Sequence, residues 1–181
     1  ETHTYEILKQ PISVVWSESE FYYNGEAQYP TAEVASGRIG DDDISFVYSE
    51  YAENIAANED DGYTVLVQLA DTTINANYAF NEERYNYFIK KSPLIIGWWD
   101  TPLVYSGVAQ YPGFYIESGR IGTQDITFEV SDYSENIGAS DGGYYRVEIT
   151  LADTAINENY FLPITVREYD ILKADFNPSN V

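Results

Sequence analysis

Tyr145-Arg146-Val147-Glu148-Ile149-Thr150-Leu151 alternates apolar and polar side chains with a period of two. That is the pattern of a strand with one face in a core and one in water. Tyr63-Thr64-Val65-Leu66-Val67-Gln68-Leu69 lies 82 residues earlier and carries its apolar residues at the same places. Ile44–Tyr48 and Ile126–Val130 read the same way, and further strands are expected over Pro11–Trp16, Tyr85–Lys91, Pro93–Trp99 and Arg167–Lys173. No segment shows a long 3.6-residue apolar period with helix caps.

The recurrence extends well beyond these strands. At an offset of 82, Gln10–Lys91 matches Ser92–Lys173 without a gap, and 35 of the 82 positions are identical. Ala27-Gln28-Tyr29-Pro30 returns as Ala109-Gln110-Tyr111-Pro112, and Ser36-Gly37-Arg38-Ile39-Gly40 as Ser118-Gly119-Arg120-Ile121-Gly122. Glu53-Asn54-Ile55 returns as Glu135-Asn136-Ile137, and Leu69-Ala70-Asp71-Thr72 as Leu151-Ala152-Asp153-Thr154. A period of this kind governs the reading of everything else. The chain is expected to hold two homologous domains, residues 10–91 and 92–173, with only Ser92 between Lys91 and Pro93.

Short strands separated by turn residues, twice over, point to an all-β fold: two tandem antiparallel β-sandwich domains of immunoglobulin-like type, with a small β-grasp or barrel as the alternative. Phe21-Tyr22-Tyr23 and Ala27-Gln28-Tyr29 flank Asn24-Gly25-Glu26, which reads as a hairpin, and Ser106-Gly107 takes that place in the second copy. The junction has no flexible spacer, so an elongated, semi-rigid arrangement is expected. Tyr5-Glu6-Ile7-Leu8-Lys9 repeats the register of the closing segments Tyr87–Lys91 and Tyr169–Lys173. Residues 1–9 are therefore expected to be either the closing strand of a preceding repeat or a strand donated to another subunit's sheet edge. Residues 174–181 would be a tail or the start of a further repeat. A start at Glu1, with no Met in the sequence, suits a processed product or an excised segment.

Composition excludes several functions. Nine Lys and Arg against 30 Asp and Glu give a net charge of −21, which repels phosphate backbones and anionic headgroups. Nucleic acid is thus not an expected partner. The longest apolar run, around Pro93–Trp99, is far too short to cross a bilayer as a helix, so no membrane insertion is expected of this segment. Eighteen Tyr, 8 Phe and 3 Trp supply enough apolar surface to fold despite the charge. With no Cys, thiolate chemistry and disulfides fall away, and the single His3 cannot build a multi-His metal site. The absence of thiols suits an oxidising exterior.

The order of shared residues resembles a known repeat class. A strand with Trp16 or Trp98 is followed by Tyr-x-Gly-x-Ala-Gln-x-Pro, an acidic Ile-x-Phe strand, a Tyr-x-Val strand, an Asn-Tyr turn and a closing Tyr-x-Ile-x-Lys. From Tyr5 to Lys173 this is similar to the MBG-type and related immunoglobulin-like repeats of bacterial cell-surface proteins and adhesins. The resemblance implies extracellular stalk modules at the cell surface, no active site, and further repeats of the same parent chain as neighbours.

Four sites are weighed against plainer readings. Asp41, Asp42 and Asp43, with Asp60 and Asp61 beside Glu59, are dense in the oxygen that Ca²⁺ requires. Asp41 and Asp42 become Thr123 and Gln124 in the second copy, and Asp60 and Asp61 become Gly142 and Gly143, so a solvated acidic face is the favoured reading. Structural Ca²⁺ is the one cofactor to weigh; none other is expected. Trp99, which aligns with Ser17, is the exposed oddity of the second repeat. With Tyr111 and Tyr115 it could form a platform for host or matrix glycans, or pack against the first repeat; Tyr22 and Tyr29 are weaker candidates. No pair of carboxylates stands out as an acid and base, and short turns form no cleft, so an enzyme is not expected. Lys9, Lys91 and Lys173 lie near repeated Asn residues, as an isopeptide crosslink would need, but a solvated edge charge is the plainer account. The expected function is a non-enzymatic spacer, with an adhesin module binding host glycans or proteins and a strand-donating fibre subunit as alternatives.

Overall fold

Alternation along Tyr63–Leu69 and Tyr145–Leu151 becomes strand in both places, and those strands organise their surroundings. A computed structural model describes residues 2–175. Most of the tail expected over 174–181 lies outside the described residues. The chain is all-β, its helical content among the described residues confined to two single turns, Asn75–Asn77 and Asn157–Asn159. It divides into two compact units, Glu1–Lys91 and Ser92–Val181.

The first unit contains β1 (Gln10–Pro11), β2 (Ser13–Trp16), β3 (Glu20–Tyr22), β4 (Ala32–Ser36), β5 (Phe46–Ser49), β6 (Asn58–Leu69), β7 (Tyr78–Ala79) and β8 (Glu83–Lys90). A four-stranded sheet runs β3-β8-β6-β5, and β2 pairs with β4, β1 with β7. Alternate residues of the central strands point inward: Val65, Val67, Tyr87 and Ile89 are all fully buried. The β2–β4 ribbon meets this sheet through Trp16, whose ring stacks on Tyr85 at 4.6 Å and whose Nε1 donates to the Glu83 carboxylate.

The second unit contains β9 (Ser92–Pro93), β10 (Ile95–Trp98), β11 (Leu103–Val104), β12 (Phe114–Ser118), β13 (Phe128–Ser131), β14 (Tyr145–Leu151), β15 (Tyr160–Phe161), β16 (Val166–Tyr169) and β17 (Ile171–Leu172). Its sheet runs β13-β14-β16, while β11 pairs with β17, β10 with β12 and β9 with β15. The core gathers Val147, Tyr169 and Ile171, with Trp98, Leu103 and Val130 packed around them. Burying each such aliphatic side chain is worth about 1.5–3 kcal/mol. Pairing partners of the first unit have counterparts 82 residues on: Val14 faces Val34 and Ile96 faces Ile116; Tyr63 faces Tyr87 and Tyr145 faces Tyr169.

Two expectations need correction. Pairing is not purely antiparallel, because β1 with β7, β3 with β8, β9 with β15 and β11 with β17 run parallel. The hairpin around Asn24-Gly25 does not form. Its first arm, β3, spends its ladder on β8, while Ala27–Tyr29 is a loop tied back by the Gln28 amide donating to the Tyr22 carbonyl. Gln110 donates to the Val104 carbonyl in the same way. Within this chain residues 2–9 form no strand, and either reading of them, a closing strand or a donated one, takes its partner from outside the chain; Tyr5 and Ile7 are each 86% exposed, whereas Tyr87, Ile89, Tyr169 and Ile171 in the same register are buried.

Candidate functional site

Antiparallel pairing of β10 with β12 sets Gly97 opposite Tyr115 and Trp98 opposite Phe114. One step further the Trp99 amide donates to the Gly113 carbonyl at 2.9 Å. Alternation turns Trp98 and Phe114 to the core, their ring centroids 5.5 Å apart. It turns Gly97, Trp99, Gly113 and Tyr115 to the outer face. There each ring lies across the glycine opposite it. A Cβ at Gly113 would come within 2.2 Å of Trp99 Cε3, and one at Gly97 within 2.4 Å of Tyr115 Cζ. The two rings are 22° from parallel with centroids 6.5 Å apart, and Trp99 and Tyr115 stay 58% and 45% exposed.

The first unit has nothing comparable. Its four equivalent positions are Val15, Ser17, Thr31 and Glu33, where the Ser17 hydroxyl accepts a hydrogen bond from the Thr31 amide at 3.0 Å. The glycines were the missed signal: Val15 to Gly97 and Thr31 to Gly113 are changes directly opposite the two new rings. Beside the platform, a groove of about 370 Å³ is lined by Trp99, Asp100, Thr101, Tyr144, Arg167 and Asp170 among others. The Arg167 guanidinium pairs with Asp100 at 3.4 Å, and Tyr144 is 71% exposed. Flat apolar faces beside hydroxyl, carboxylate and guanidinium groups can stack on and hydrogen-bond a ligand.

No family model, curated protein or solved structure matches the chain. The likeness to MBG-type repeats therefore rests on the sequence motifs alone.

The other candidates are placed differently. Tyr111 is half-buried, packed on the second core with its ring 4.5 Å from Tyr133, and contributes no face to the Trp99 platform. Tyr29 is likewise half-buried, its ring 3.7 Å from Tyr51. Asp42 accepts a hydrogen bond from the Tyr78 hydroxyl at 2.6 Å, and in the second unit Gln124 accepts from Tyr160. An oxygen acceptor suffices there, which explains how Asp42 exchanges with Gln124. The Asp61 amide donates to the Asn58 side chain, and Asp41, Asp43 and Asp60 are exposed. Among the described residues, no three His, Cys, Asp or Glu side chains converge as a cation would need. Lys173 pairs with Asp141 in the open, far from the burial an isopeptide bond requires. Glu50, on the surface, is held below the usual carboxylate range by hydrogen bonds from Arg84.

Proposed function

We propose that the two units are tandem immunoglobulin-like β-sandwich modules, serving as non-enzymatic structural spacers in the stalk of a bacterial surface protein or adhesin, outside the cell and beside further repeats. One observation carries this reading: in both units an early strand pairs in parallel with the closing strand. Glu20, Phe21 and Tyr22 face Phe88, Ile89 and Lys90, while Leu103 and Val104 face Ile171 and Leu172. Tension applied at the two ends of such a unit enters through β1 or β9, itself paired in parallel with β7 or β15, and leaves through the closing strand, so parallel partners are pulled in opposite directions along their length. All the bonds of the pair are then loaded together in shear instead of being unzipped one by one. The shared residues support the same reading, because Gln28 and Gln110, Asn54 and Asn136, and Tyr87 and Tyr169 are spent on holding the scaffold.

Pulling the chain from its termini tests this. Two discrete unfolding steps of similar length are expected, each releasing about 28 nm of extended chain for 82 residues at ~3.4 Å per residue. A single event, or a gradual yielding without steps, would overturn the reading.

A further inference from the structure

We propose that the outer face of the β10–β12 ribbon is a carbohydrate-binding site that takes the C–H face of a neutral hexopyranose on Trp99 and Tyr115. The groove joined to it through Trp99 would meet the sugar's hydroxyls with Asp100, Thr101, Tyr144 and Arg167.

The paired substitutions are the first reason. A ring laid flat across a strand pair needs space, and a side chain at either facing position would push the ring off the sheet. Both rings have such a glycine, and the first unit has neither ring nor glycine. Exposure is the second. An aromatic pair placed only to bury apolar surface gains from being covered, yet about half of each ring faces water. Shape is the third. Protein partners are gripped by side chains seated in well-packed pockets, whereas two nearly parallel, laterally offset rings present a flat surface. A pyranose has one flat C–H face and a rim of hydroxyls. It matches flat rings beside a carboxylate, a guanidinium and two hydroxyl groups.

Charge narrows the class further. The groove carries Asp100, Glu168 and Asp170, with Arg167 already paired to Asp100, and the chain carries −21 overall. Sulfated, sialylated and uronic sugars are repelled, as are phosphates. A ring over a cross-strand glycine also stabilises a ribbon by itself, so the test must separate binding from folding.

The intact chain is screened on a glycan array carrying neutral, sialylated and sulfated oligosaccharides, and cellohexaose is titrated by calorimetry alongside the strongest neutral array glycan. Trp99→Ser, Trp99→Phe and Tyr22→Ser variants are run in parallel, with near-ultraviolet circular dichroism reporting the fold of each. Saturable binding to neutral glycans is expected, weakened about tenfold or more in Trp99→Ser. It should be largely kept in Trp99→Phe and unchanged in Tyr22→Ser, which removes an exposed ring of the first unit. A flat array for a folded chain would sink the proposal. So would signal confined to anionic glycans, binding that survives Trp99→Ser, or Trp99-dependent self-association without glycan binding. The site needs only the second unit's fold, and its failure would leave the two unfolding steps of a spacer untouched.

Discussion

Asn136 shows how much one repeated residue can do. It is buried, and its Nδ2 donates to the carbonyls of Asp132 and Arg146 and to the Tyr169 hydroxyl, at 3.2, 2.9 and 2.8 Å. The Tyr169 hydroxyl in turn donates to the Gln110 carbonyl. Asn54 repeats the arrangement with Glu50, Thr64 and Tyr87. Asp132 and Glu50, whose carbonyls accept these bonds, hold the left-handed conformation at φ 63° and 68°, uncommon for residues with a Cβ. The Asn fixes that strained corner against the closing strand. Asn136→Ala should therefore cost about 2–3 kcal/mol, since it leaves buried acceptors unmatched, while Tyr169→Phe should cost about 1. Urea unfolding of both variants measures this; equal small losses would show that the clamp contributes little. In the sequence, Glu-Asn-Ile reads as a recurring turn, and nothing local announces that its partner lies 33 residues further on.

At the scale of elements, strands were legible where one face is buried. β14 spans the alternating stretch Tyr145–Leu151 as read, and β6 reaches back beyond its alternating part to Asn58 across a register shift. That extension is acidic and exposed, so no hydrophobic period marks it. The parallel partners of β3 and β11 were illegible because pairing is a long-range choice, and the turn at Asn24-Gly25 is equally compatible with a loop. Of the candidate site, Trp99 was visible as the odd residue out, Tyr115 as its companion; which face each ring takes depends on register. The repeated Gly119 was visible without its reason. It holds φ at +93°, and a Cβ there would approach the Pro93 carbonyl to 2.0 Å, as one at Gly37 would approach Pro11. At Gly122, φ is +55° and nothing lies within 4 Å. Gly122→Ala should cost about 1 kcal/mol, the ordinary penalty of a left-handed residue. Gly119→Ala adds a backbone clash and should cost about 3 kcal/mol or more. Equal urea midpoints for the two variants would rule out the close approach as the reason for Gly119.

At the scale of the whole molecule, charge and tyrosine together set the pH range of stability. Burial pushes the Tyr87 and Tyr169 hydroxyls above their ordinary value of 10.0, although the Asn hydrogen bond on each oxygen pulls partly back. Tyr78 is raised by desolvation and by its bond to Asp42, and Tyr29 chiefly by its hydrogen bond with Tyr51. A phenol raised in the folded state keeps its proton after the unfolded chain has lost it. The folded state then binds more protons than the unfolded one, so stability falls as pH rises above about 10 and is unaffected by these groups below it. Deprotonation also adds negative charge to a chain already at −21, which deepens the loss at low ionic strength and makes added salt protective. In an alkaline titration, tyrosinate absorbance should include a late class containing these four of the 18 tyrosines. The late class should appear together with the loss of far-ultraviolet circular dichroism, and at higher pH in salt. A single class titrating with the fold intact would mean that water reaches the phenols at both cores, and that the Asn–Tyr clamps open long before the sheets come apart.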